Sequence, residues 1–151
     1  MTASPDNFPH PGDLFEDRYR IERLIGSGGF SRVYLATQTD LGRKVALKIM
    51  LPVTNKLDAT GNKVESASAS NKLAERFMQE ARVVANLRGP YTVTVHDHGR
   101  TEDGKLFMVL EYVDGNSLSR LIKNEGALEP RRVARILGQA LESLQEAHHH
   151  G

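Results

Sequence analysis

At 151 residues, with 39% apolar and 26% charged positions and a net charge of +1, the chain has the make-up of one globular domain, or one domain and part of another. That balance excludes an overall field that would recruit nucleic acid or an anionic membrane, and the absence of cysteine excludes disulfides and thiolate metal sites. No apolar run approaches a membrane span and the first residues lack the basic-then-apolar plan of a signal peptide, so a cytoplasmic setting is expected.

Pro5, Pro9, Pro11 and Gly12 mark a flexible N-terminal segment, 1–17. From Tyr19 the chain reads as short strands. Tyr19, Ile21 and Arg23 alternate with Arg20, Glu22 and Leu24, and Ile25 leads into Gly26-Ser27-Gly28-Gly29-Phe30. Ser31 to Thr37 is the return strand, which makes the glycines the tip of a hairpin. In a third strand, Lys44 to Met50, the residues Val45, Leu47 and Ile49 share one face while Ala46 and Lys48 share the other.

Residues 54–71 are polar, small and weakly periodic, and read as a loop insertion. Lys72 to Leu87 has helical periodicity. Tyr91 to His98 and Lys105 to Glu111 are two further strands, joined by the turn Thr101-Glu102-Asp103-Gly104. Asp114-Gly115-Asn116-Ser117 offers an N-cap to a short helix running to about Lys123. The last helix starts near Pro130, with Val133, Leu137, Leu141, Leu144 and His148 as its stripe. The expected class is α+β with a mainly antiparallel sheet.

The glycine turn admits several readings. A phosphate-binding loop of the Walker type needs a lysine and a hydroxyl residue after its last glycine, opening a helix. A dinucleotide fingerprint also needs a strand-to-helix transition. Both fail, because Phe30-Ser31-Arg32-Val33 continues as a strand. What is left is a flap over phosphates, with Val33 beneath it, or a plain hairpin. Lys48 favours the flap. It shares a face with Ala46, small enough to admit a flat ring, so that a purine against Ala46 and Val33 puts phosphates near the ammonium. On the helix, Leu73, Phe77, Val84 and Leu87 define an apolar stripe with Glu80 inside it. A carboxylate there is costly without a cation, and Lys48 is the obvious partner. The alternative is a solvated Glu80 at the edge of the stripe.

These residues resemble the N-terminal lobe of a Hanks-type serine/threonine protein kinase of the bacterial branch, over about Tyr19 to Gly151. The resemblance implies a five-stranded antiparallel sheet with one helix, αC, in an N-lobe over 18–113. Two helices of an incomplete C-lobe follow over 114–151. It implies ATP as cofactor. Ile25, Gly26, Ser27, Gly28, Gly29 and Phe30 would form the phosphate-covering loop, and Val33 and Ala46 would line the adenine. Lys48 would contact the α- and β-phosphates and pair with Glu80. Leu110 would be the gatekeeper, and the backbones of Glu111 and Val113 would bond the adenine edge. Ala147-His148 and Gly151 match the end of the family's next long helix.

Two departures accompany the likeness. Ser31 stands where a third glycine is often found, and the connector between Lys48 and Glu80 is longer than usual. The family's catalytic aspartate and its magnesium-binding residues have no counterpart among these residues. The expected function is therefore the ATP-binding portion of a kinase. In the complete domain such a kinase moves the γ-phosphoryl of Mg2+-ATP to a protein serine or threonine. The alternative is a catalytically inactive nucleotide-binding or regulatory fragment. In either case the last helix is expected to lack cover for its stripe, so that 1–151 alone self-associates. No metal site is expected: His148-His149-His150 and the pair His96 and His98 read as ordinary helix-end and surface residues.

Overall fold

The computed structural model describes residues 8–29, 31–51 and 66–149, with the backbone alone for 66–71 and 73. Six strands form one antiparallel sheet: β1 (Leu14–Phe15), β2 (Tyr19–Ser27), β3 (Ser31–Gln38), β4 (Arg43–Met50), β5 (Val95–Arg100) and β6 (Leu106–Glu111), in the spatial order β1-β2-β3-β4-β6-β5. Among the described residues there are also three helices: α1 (Ser66–Asn86), α2 (Leu118–Glu125) and α3 (Pro130–His149). The α+β class is as expected. The strand count is one higher, because Leu14 and Phe15 pair with Arg20 and Tyr19 across a turn in which Glu16 and Asp17 both take positive φ.

Alternation along β4 sets the two faces of the sheet. Val45, Leu47 and Ile49 are fully buried on one side with Tyr19, Ile21, Tyr34, Ala36, Phe107, Val109 and Phe15. Among the described residues no helix side chain belongs to this cluster. The sheet curls so that its own ends cover the face, with Phe15 meeting Phe107 edge to face at 5.4 Å and Phe8 packed at the margin. The guanidinium of Arg32 lies 4.2 Å over the Phe8 ring. On the other side, Met50, Leu106 and Met108 pack against Phe77 and Ala81 of α1.

A polar contact closes the curl. The Tyr19 hydroxyl donates to Asp97 Oδ2 on β5 at 3.1 Å, and Arg18 Nη1 reaches the same oxygen at 3.1 Å. Burial, then the neighbouring carboxylate, pushes the Tyr19 phenol up to about 12. Between pH 10 and 12 the unfolded chain has released this proton while the folded one still holds it, so stability falls as pH rises through that window. The loss should reach roughly 2 to 3 kcal/mol by pH 12. Denaturant melts of Tyr19→Phe should lack that share of the alkaline decline; parallel curves for the two proteins would refute the assignment.

Two boundaries differ from expectation. Ser66 to Asn71 were expected within a loop but form the first turns of α1. Alternating Ser and Ala give no apolar period to read, yet Ala is the best helix former and Ser an acceptable one. Residues 52–65, the rest of that insertion, lie outside the described residues. The strand expected from Tyr91 begins only at Val95, since a turn joins Thr92 N–H to the Gly89 carbonyl at 3.3 Å. The short helix α2 has the expected cap: Ser117 accepts from Arg120 N–H at 3.2 Å, and Gly126 ends the helix at φ 78.

Candidate functional site

Register places the expected site residues in two adjacent rows. Val33, Lys48 and Met108 lie side by side across β3, β4 and β6; Leu35, Ala46 and Leu110 form the next row. In-register neighbours project to the same face, which is the face that α1 occupies only in part. Val33, Ala46 and Leu110 are half-buried, whereas Leu35 and Met108 are fully covered. The result is an apolar shelf of small and medium side chains with an ammonium at its inner end. Leu35 and Met108 are floor residues that sequence reasoning missed; the pairing of β3 and β6 with β4 was the signal that would have found them.

Lys48 Nζ lies 2.7 Å from Glu80 Oε1. The Phe77 ring sits 5.5 Å from the same ammonium and confines it from the helix side. The expected pairing is therefore formed, but the reason given for it needs correction. The buried positions of α1 are Phe77 and Ala81, with Ala74 and Met78 packed beside them. Glu80 is turned off that stripe by about 60° from Phe77 and about 100° from Ala81. Its side chain is 53% exposed while that of Lys48 is 22% exposed. An ion pair this open contributes at most about 1 kcal/mol to stability. What it does is hold the ammonium in one place at the inner end of the shelf.

The glycine turn caps the opposite side. Ser27 pairs with Arg32, and Gly28 N–H donates to the Ser31 carbonyl at 2.8 Å, closing the hairpin. A Cβ on Gly29 would meet nothing within 4 Å, and on Gly26 only the Val33 side chain at ordinary contact distance. The protein's own packing thus does not impose glycine at these positions. Bare backbone there leaves room for something that is not protein. Ile25 is exposed at the strand edge beside a bulge between Leu24 and Gly26. Phe30, expected in this loop, lies outside the described residues.

At the far end of β6, Glu111 N–H donates to the Thr94 carbonyl at 2.8 Å, and Thr94 N–H returns a bond to Glu111 Oε2 at 3.2 Å. A backbone contact from Glu111 to a ligand therefore has to use its carbonyl. Val113 follows with 61% exposure. Tyr112 between them is tied to Arg23 Nη2 and to Asp114 Oδ1, each at 3.4 Å.

Beyond this strand, α2 and α3 bury no side chains of their own, and Leu137, Leu141 and Leu144 of the α3 stripe are exposed. His96 is held 3.4 Å from Arg43 Nη1, and burial together with that guanidinium pushes its pKa down. Among the described residues no group of three or more His, Asp or Glu side chains is gathered to hold a metal ion.

Comparison with known proteins agrees with the fold. Residues 19–151 match the family model described as the protein kinase domain. The chain is 33% identical over 145 residues to the serine/threonine-protein kinase pkn3 of Myxococcus xanthus, covering 96% of this chain and 24% of that protein. It is 33% identical to PknA of Mycobacterium tuberculosis, covering 93% of this chain and 30% of the relative. With PrkC of Bacillus subtilis the figures are 34% identity, 91% and 19%. The crystal structure of the Mycobacterium tuberculosis PknI kinase domain superposes with a TM-score of 0.73 at 25% identity, covering 95% of this chain and 52% of that one. The chain spans less than a third of each of these curated relatives.

Proposed function

The chain belongs to the protein kinase family, and from that premise we propose that it is the ATP-binding portion of a serine/threonine protein kinase. The adenine lies on the shelf of Val33, Ala46 and Leu110, with its edge bonded by the Glu111 carbonyl and the backbone of Val113. The glycine turn from Ile25 to Phe30 folds over the phosphates, and Lys48 meets the α- and β-phosphates. The observation that carries this reading is the 2.7 Å Lys48–Glu80 contact at the inner end of an apolar shelf, opposite glycines that no internal packing requires. In the complete domain, ATP with Mg2+ supplies the γ-phosphoryl, and protein serine or threonine hydroxyls accept it. The residues that hold Mg2+ and orient the acceptor are not among these 151. The contribution of this chain is to bind and align the phosphates, which is a large share of catalysis in phosphoryl transfer.

Titration with a fluorescent ATP analogue, competed by ATP and by adenosine, tests this. Binding is expected, with adenosine the weaker competitor because it cannot reach Lys48. Ala46→Phe, which fills the shelf, should abolish binding while leaving the melting temperature near that of the parent. Undiminished binding by that variant would remove the shelf from the reading.

A further inference from the structure

The segment between α1 and β5 is gripped from outside the sheet. Glu146 of α3 accepts from two successive backbone N–H groups, Arg88 at 2.7 Å through Oε1 and Gly89 at 2.9 Å through Oε2. One turn earlier on α3, Ser143 bonds Thr92 through their hydroxyls. Residues 143 and 146 lie one turn apart on the same side of the helix, so together they clamp both ends of the segment 88–92. Gly89 is part of the fit. A Cβ there would meet Glu146 Oε2 at 2.6 Å, and Gly89 is not among the residues with positive φ. A side chain at position 89 would therefore displace the carboxylate, while the backbone there imposes no glycine.

This clamp begins two residues past the end of α1, and Glu80 is less than two turns before that end. α1 is thinly attached to the sheet: among its described side chains only Phe77 and Ala81 are buried. A helix held by so little packing takes its position largely from what fixes its ends. We infer that Glu146 is a positioning residue: by fixing the C-terminal end of α1 it sets where Glu80 stands, and through Glu80 where Lys48 is held. The inference rests on the nucleotide-binding reading of the cleft and extends it to a side chain on α3, far along the chain from that cleft.

The test compares nucleotide affinity in Glu146→Ala, Glu146→Gln and Gly89→Ala, each made with Lys48 intact and with Lys48→Met. With Lys48 present, Glu146→Ala and Gly89→Ala should weaken ATP binding by about three- to tenfold. Glu146→Gln keeps one acceptor oxygen and should fall between them and the parent. In the Lys48→Met background none of the three should weaken binding further. Equal weakening in both backgrounds, or none in either, would overturn the inference.

If Lys48→Met alone leaves affinity unchanged, or ATP does not bind, the reading of the cleft is at fault. The tether is then judged without nucleotide. Zero-length carbodiimide coupling of Lys48 to Glu80, mapped by mass spectrometry, should drop severalfold in Glu146→Ala and Gly89→Ala. An unchanged yield would refute the tether. Should Glu146→Ala fail to fold, Gly89→Ala decides alone, since the only close contact of its added methyl is the movable carboxylate.

Discussion

Lys48→Met should weaken ATP binding by roughly ten- to a hundredfold while barely changing the melting temperature. The methionine keeps the apolar stem and its place beside Phe77, so the shelf of Val33, Ala46 and Leu110 is undisturbed. What is lost is the ammonium and its charge-assisted contacts to the phosphates, each worth about 1.5 to 3 kcal/mol, and about 1.4 kcal/mol is a factor of ten in affinity. Folding stability is nearly indifferent, because the pair with Glu80 is open to water and exposed pairs contribute at most about 1 kcal/mol. Titration calorimetry separates the two effects. Equal affinity in parent and variant would withdraw the phosphate role from Lys48, and a collapse of stability would mean the pair is structural.

The opposite pattern is expected of Phe107→Ala. Phe107 stands on β6 with its ring edge to face against Phe15 of β1, and a Cβ on Gly99 of β5 would come within 2.9 Å of it. The ring therefore fastens both edge strands of the curled sheet to its middle. Truncating a buried phenylalanine costs about 3 to 5 kcal/mol through lost transfer energy and the cavity left behind. That corresponds to a fall in unfolding midpoint of roughly 10 °C for a chain of this size. A shift of only about 2 °C in a calorimetric scan would show that the curl does not depend on this ring.

Much of this architecture was legible from local pattern. The alternation of β4 assigned Val45, Leu47 and Ile49 to the core and Ala46 and Lys48 to the other face, and burial follows that division. Glycines flanked by two strand-like runs gave the hairpin. An N-cap was legible in the run Asp114-Gly115-Asn116-Ser117, and the fold uses Ser117 for it. Elsewhere the signals were too short or of the wrong kind. A strand of two residues has no period, and nothing in Glu16 and Asp17 announces a pair of left-handed residues.

The phase of α1 was read one position off. Leu73, Phe77, Val84 and Leu87 fit an apolar stripe that includes Glu80, whereas the true buried pair includes Ala81, which a count of large side chains overlooks. The right partner for Lys48 was thus found for a reason that burial does not support. Glu146 had no signal at all. A glutamate on an exposed helix looks solvated until the fold brings two backbone amides to it.

The larger apolar cluster lies on the side of the sheet away from α1, and among the described residues it is built from strand side chains and Phe8. Such a scaffold is self-sufficient. The long helix can pivot about its clamped C-terminal end without exposing the interior that keeps the strands together, so relocating the carboxylate that faces Lys48 leaves the sheet intact. Rigidity and adjustability are thereby assigned to separate layers of one small body, and the ammonium stands at the seam between them.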